Sequence, residues 1–268
     1  MRDLMSELNL PKESYSNLKS IMSRLTQVGA ITHVGEKRGV YRKRTLIPAI
    51  DPFSRECSPE FDIALPLGLN DVCKILPKNI IVIAGTKDSG KTAVALNIAH
   101  LNRRRQDTHY YFSEMGPSEL RSRLERFHDM SHEDWKSVKF HPVNRHFEDA
   151  IVQAPDSLHV IDFLEIHDEF YKVGENIRTI FDSLRNGVAV ILMQKKGGAA
   201  FAKGGEGTIE KARLYVNLNR AFDSQTPYTT AEIMSAKIPR HDGQDHKGRK
   251  LRFQLNWGAE IVELSKWE

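Results

Sequence analysis

The segment GTKDSGKT, residues 85–92, fits the pattern G-x-x-x-x-G-K-[ST], in which each fixed residue type answers a need of phosphate chemistry. Gly85 and Gly90 let backbone N–H groups converge on an anion, and Thr86, Lys87, Asp88 and Ser89 carry the amides between them. Lys91 is placed to reach the β- and γ-phosphates of a nucleoside triphosphate, and the Thr92 hydroxyl to ligate Mg²⁺. Such a loop works only between a strand and a helix. Here the apolar NIIVIA precedes it and TAVALNIAHL follows, so the phosphates would meet a helix N-terminus with its partial positive charge. ATP and Mg²⁺ are therefore the expected ligands. Asp162 closes a later apolar run, SLHVIDF, at the order and distance expected of the acid that holds Mg²⁺ through water.

A sheet must position these residues. NIIVIAG, THYYFSEM, SLHVIDF and VAVILMQ are continuous apolar runs, as expected of parallel strands buried on both faces. Helical patterns at about 91–105, 117–128 and 169–186 intervene, which predicts an α/β unit over residues 71–268 with helices on both sides of a mostly parallel sheet. ARLYVNLN, TAEIMSAKI, KLRFQLN and AEIVEL add strands toward the end. Residues 45–70 carry Pro48, Pro52, Pro59 and Pro66 without periodicity and read as a linker. Residues 1–44 read as a separate module. A short amphipathic helix holds Leu4, Met5 and Leu8, and a longer one presents Leu18, Ile21, Met22 and Leu25 before Gly29 ends it. Two strand-like stretches, AITHV and VYRKR, follow around GEKRG. Helix, turn, helix and basic hairpin resemble a small winged-helix domain, with Lys37, Arg38, Arg42, Lys43 and Arg44 on the wing, a form that suits either duplex DNA or a protein partner.

Composition narrows the class. At 268 residues, 40% hydrophobic and 28% charged, the chain is ordinary for a globular protein. No apolar run approaches a membrane span and the N-terminus lacks a secretory pattern, so a cytoplasmic protein is expected. Cys57 and Cys73 lie far apart with no CxxC pairing, and HDMSH lacks the spacing of a zinc site. The formal charge of +4 permits a polyanionic partner, and Arg103, Arg104 and Arg105 read as a solvated helix end.

From Leu67 to Leu264 the chain resembles the RecA-like ATPases of the DnaB replicative-helicase type. FSEMGPSELRSRL matches that family's catalytic segment, which implies that Glu114 activates the attacking water. VAVILMQ puts Gln194 where the family senses the γ-phosphate, and GTIEKARLYVNL from Gly207 matches a further family motif. The family contacts a neighbouring subunit's ATP through a Lys and an Arg two residues apart. SAKIPR offers Lys237 and Arg240, spaced by three. KKGGAAFAKGGE lies where RecA-like rings hold single-stranded nucleic acid, which implies DNA contacts by Lys195, Lys196 and Lys203. The resemblance thus implies a ring-forming, hexamer-like DNA helicase or translocase, in replication of a phage, plasmid or other mobile element. A recombinase or strand-annealing ATPase, and an ATP-switched transcriptional regulator, are the alternatives.

Overall fold

The computed structural model of the protein describes residues 9, 11–34, 40–45, 49, 51–53, 60–162 and 173–268. The chain forms two compact units, Met1–Cys57 and Ser58–Glu268.

In the first unit, helix α1 (Tyr15–Gln27) leads into strands β1 (Ile31–His33) and β2 (Tyr41–Lys43), which pair antiparallel. Gly29 takes φ +73°, a left-handed conformation glycine tolerates, and this lets Ala30 N–H return to Leu25 O at 2.8 Å and close the helix end. Leu18 is buried, but Ile21, expected on the same inward face, is 50% exposed. The helix expected around Leu4 and Leu8, and Lys37 and Arg38 of the expected wing, lie outside the described residues. The described part of this unit is one helix, a 3₁₀ turn and a hairpin.

The second unit is built on one sheet. Its strands are β3 (Ile80–Gly85), β4 (Thr108–Phe112), β5 (Val138–Pro142), β6 (Leu158–Asp162), β7 (Val188–Gln194), β8 (Ala212–Asp223), β9 (Thr226–Ala236), β10 (Lys250–Asn256) and β11 (Glu260–Glu263). Their order is β11-β10-β9-β8-β3-β7-β6-β4-β5. The strands from β8 to β5 run parallel, and β9, β10 and β11 return antiparallel. Helices α2 (Leu69–Val72), α3 (Lys91–Asn102), α4 (Pro117–Leu124), α5 (His132–Trp135), α6 (Phe147–Ile151) and α7 (Val173–Ser183) complete it.

Neighbouring residues of a strand feed opposite cores. Ile81, Ile83, Tyr110 and Val160 pack with Val94 and Ile98 of α3, whereas Ile80, Val82, Tyr111 and Ile161 pack with Ile151 of α6 and Ile177 of α7. This two-sided burial is why the strands read as unbroken apolar runs. Each such side chain contributes roughly 1.5–3 kcal/mol, enough in sum to hold the strand ends rigidly.

Two expectations are corrected. The linker does not extend to residue 70, because Ile63, Leu65, Leu67 and Leu69 are buried in the α3-side core. Ile63, Leu65 and Leu67 alternate as a strand would, but this segment joins no ladder: Asn102 exchanges bonds with Ala64 N and O at 2.8 and 2.7 Å, and Asn70 with Leu65 N and Ile63 O at 2.7 and 2.8 Å. Side-chain amides thus replace a neighbouring strand, which no periodicity in the chain announces. Strand β5 was not foreseen either. It is an edge strand with only Val138 fully buried, so its pattern VKFHP lacks the apolar run of the central strands.

Candidate nucleotide-binding site

Strand β3 ends at Gly85 and the chain turns through residues 86–90 into α3. Both glycines are structural necessities. A Cβ at Gly85 would stand 2.3 Å from Ser89 Oγ and 2.7 Å from Lys91 Cγ; Gly90 sits at φ +81°, and a Cβ there would meet Leu255 Cδ1 at 2.8 Å. Buried Ser89 ties the loop by donating to Thr86 O at 2.8 Å. Lys91 Nζ lies over the same loop, donating to Thr86 O at 2.9 Å and Gly85 O at 3.3 Å. Burial lowers its pKa, opposed by the charges of Glu114, Asp162 and Asp88.

Asp162, at the end of β6, is buried. Its Oδ1 accepts from Thr92 Oγ1 at 3.3 Å and its Oδ2 from the Tyr110 hydroxyl at 2.6 Å. Burial pushes its carboxyl up to about 6; the two hydroxyl donors and Lys91 oppose that shift, and the Glu114 charge adds to it. A hydroxyl and a carboxylate side by side fit Mg²⁺, which is usually bound by one or two carboxylates and substrate phosphates rather than by an all-protein cage. A cation here would also offset the buried charge of Asp162.

Glu114 follows β4, where Ser113 N–H donates to Asp162 O at 3.3 Å and so brings the two acids' strand ends together. Gln194 ends β7 directly opposite Gly85 in the parallel register. Lys91, Thr92, Glu114 and Gln194 line one cavity of about 590 Å³. Arg123 and Arg126 of the α4 region line it too, as do Leu255 and Gly258 of the β10–β11 hairpin. The sequence reading missed this second wall. Gly258 lets the arginine approach, since a Cβ there would stand 2.8 Å from Arg126 Nη1. The spacing of Arg123 and Arg126, one turn apart just after Glu114, was the available signal; the hairpin's share depends on the sheet folding back.

Other expected residues fall elsewhere. Arg240 is engaged within its own unit: its guanidinium holds Glu60 through two bonds of 2.9 Å and donates to Asn70 O at 2.9 Å. Lys237 lies just beyond β9 and donates to Glu210 O at 3.3 Å, outside the cavity. Lys195 is corrected as a DNA contact. It is 4% exposed, its ammonium donates to Asn219 Oδ1 at 2.6 Å, and burial lowers its pKa. Lys196 is exposed, and Lys203 donates to Gln194 Oε1 at 3.0 Å. In the first unit Arg42 is exposed on β2.

No family model matches the chain, and no curated protein matches it. Among solved structures it is similar to the KaiC-like protein PH0186 from the hyperthermophilic archaeon Pyrococcus horikoshii OT3, with a TM-score of 0.58 and 16% identity over 77% of this chain and 99% of that one. At that identity the likeness establishes the fold alone: a RecA-like α/β core with a large, mostly parallel sheet. Among the described residues no helix is long and apolar enough to cross a membrane.

Proposed function

We propose that this chain is a Mg²⁺-dependent ATPase that works as a DNA-binding motor of the helicase or translocase kind, assembled from several copies in a ring. The observation that carries the ATPase reading is the convergence of Lys91, Thr92, Glu114 and Gln194 on one cavity, with buried Asp162 bonded to Thr92 behind its wall. The loop amides and the α3 N-terminus bind the phosphates. Thr92, and Asp162 through water, would hold Mg²⁺, which would supply positive charge to offset that of the phosphates. Glu114 accepts a proton from water as its oxygen forms a bond to the γ-phosphorus and the bond to the β-phosphate oxygen breaks, leaving ADP and phosphate. Lys91 and Gln194 donate to the oxygens that gain charge.

The motor reading rests on the DnaB-type resemblance and on Lys196. Its exposed ammonium sits two residues beyond Gln194 on a glycine-rich loop, where a sequence-blind phosphate contact would be coupled to the nucleotide. Arg42, Lys43 and Arg44, exposed on and after β2, support a duplex contact by the first unit, with a winged-helix form. Lys237 remains the candidate for contact with a neighbouring copy's nucleotide. Steady-state ATP hydrolysis with and without single-stranded DNA tests the whole reading. We expect Mg²⁺-dependent turnover stimulated severalfold by the DNA. Turnover indifferent to DNA would leave an ATPase without a motor role, and absence of turnover together with ATP binding would favour a switch.

A further inference from the structure

We propose that Lys203 is a positioning residue for nucleotide sensing: it orients Gln194 so that the amide N–H groups face the γ-phosphate. The proposal rests on the ATPase reading above. Lys203 grips Gln194 twice, its backbone N–H donating to Gln194 O at 2.9 Å and its ammonium to Gln194 Oε1 at 3.0 Å. A glutamine amide can turn either end toward a ligand, but an ammonium has donors only. The amide oxygen must therefore face Lys203, leaving both N–H donors for an anion in the cavity that Gln194 lines.

The backbone around this exposed lysine is held from several sides. Ala202 N–H donates to the buried Tyr215 hydroxyl at 2.8 Å, and Asn217 Nδ2 donates to Ala200 O at 2.8 Å. Gly204, at φ +111°, lies so close to Val173 that a Cβ would stand 2.6 Å from its Cγ2. Lys195 is anchored on Asn219 at the loop's other end. The segment is thus a closed loop pinned to β8 and to the start of α7. Its ends meet at the Gln194–Lys203 pair, and residues 196–198 form its exposed crown. A displacement of Gln194 by the γ-phosphate would pull on the Lys203 end of that loop.

ADP has no γ-phosphate, so discrimination between ADP and a slowly hydrolysed ATP analogue reads this role apart from general folding. Lys203→Met should weaken the analogue relative to ADP by about three- to tenfold, as expected for one hydrogen bond, and lower kcat by a similar factor. Lys203→Arg, which again offers only donors, should recover most of both. Equal weakening of ADP and the analogue would make Lys203 merely structural and overturn the proposal, as would unchanged discrimination in Lys203→Met. Wild type and Lys91→Ala in the same assays keep the failures separate. If wild type ignores the analogue, or Lys91→Ala binds and turns over as wild type does, the nucleotide reading itself falls. If that pair behaves as expected and only the Lys203 results fail, the pocket stands and the sensing role is lost.

Discussion

On β4 and β6 adjacent residues face opposite sides of the sheet, and the two sides bury polar groups differently. Toward α3, Tyr110 meets Asp162, a buried carboxylate raised to about 6 and held by two hydroxyl donors. Toward the other side, Tyr111, His159, His109 and His141 pack ring against ring in stacked or tilted pairs whose centroids lie 5.0 to 6.4 Å apart. There the polar atoms are matched. His159 donates from Nε2 to Ala154 O at 2.9 Å, which makes Nδ1 the acceptor for the Tyr111 hydroxyl at 3.0 Å. His109 lies 3.1 Å from His141 Nε2 and 3.2 Å from Asp107. Burial pushes His159 down to about 4, so it stays neutral; for Asp107 burial, the largest single influence, acts upward, but hydrogen bonds from Lys139, His109 and Ser157 together outweigh it and bring the carboxyl to about 2. A buried group whose charge is incompletely compensated points to a ligand; a buried group with every atom paired points to architecture.

That contrast is breakable. Lys91→Ala should lower ATP turnover by roughly 10³, the upper range for removing one preorganised donor, with the melting temperature nearly unchanged. Steady-state kinetics on the folded variant checks it, and turnover within twofold of wild type would dissolve the site. Glu114→Gln should bind ATP normally and hydrolyse it about 10²-fold more slowly, the range for a lost general base. Loss of binding instead would make Glu114 part of the cradle. For Tyr110→Phe, which removes a group acting through Asp162, we expect Mg²⁺-nucleotide affinity to fall about tenfold, read by titration calorimetry at several Mg²⁺ concentrations.

The histidine side should behave in the opposite way. Burial holds His159 near 4 when folded, against its ordinary value of 6.5 when unfolded, so the unfolded chain takes up the proton first. Stability present above pH 6.5 is therefore lost as pH falls from 6.5 to about 4, by roughly 3 kcal/mol at about 1.4 kcal/mol per unit. His159→Leu should flatten that slope in urea melts, cost about 1–3 kcal/mol at pH 8 through the orphaned Tyr111 hydroxyl, and leave the KM for ATP alone. A changed KM would show that the two sides are coupled. The smallest effect belongs to Arg240→Ala, whose pair with Glu60 is part-exposed: about 1 kcal/mol or less of stability, with turnover within twofold. A large loss of turnover, rescued by mixing with Lys91→Ala subunits, would instead give Arg240 the trans role that the family resemblance implies.

The phosphate loop was readable because it is local. Residues 85–92 carry their glycines, lysine and threonine contiguously, and the strand before and the helix after lie in the same stretch of chain. Asp162 and Gln194 could be marked as strand ends, since doubly buried parallel strands leave continuous apolar runs with one polar residue at the tip, whereas Glu114, two residues beyond β4, was marked by the family resemblance alone. Tertiary structure alone decided what those tips meet. Tyr110 reaches Asp162 because β4 and β6 pair in one register, and a shift by one residue would present His109 or Tyr111 instead. Arg240 is occupied by Glu60, which lies 180 residues earlier. Lys195 and Lys203 are both lysines in one glycine-rich loop, yet one is buried on Asn219 and the other turned to Gln194. Charge and spacing determine what a side chain can do, but packing between distant segments determines which side chains are left free to do it.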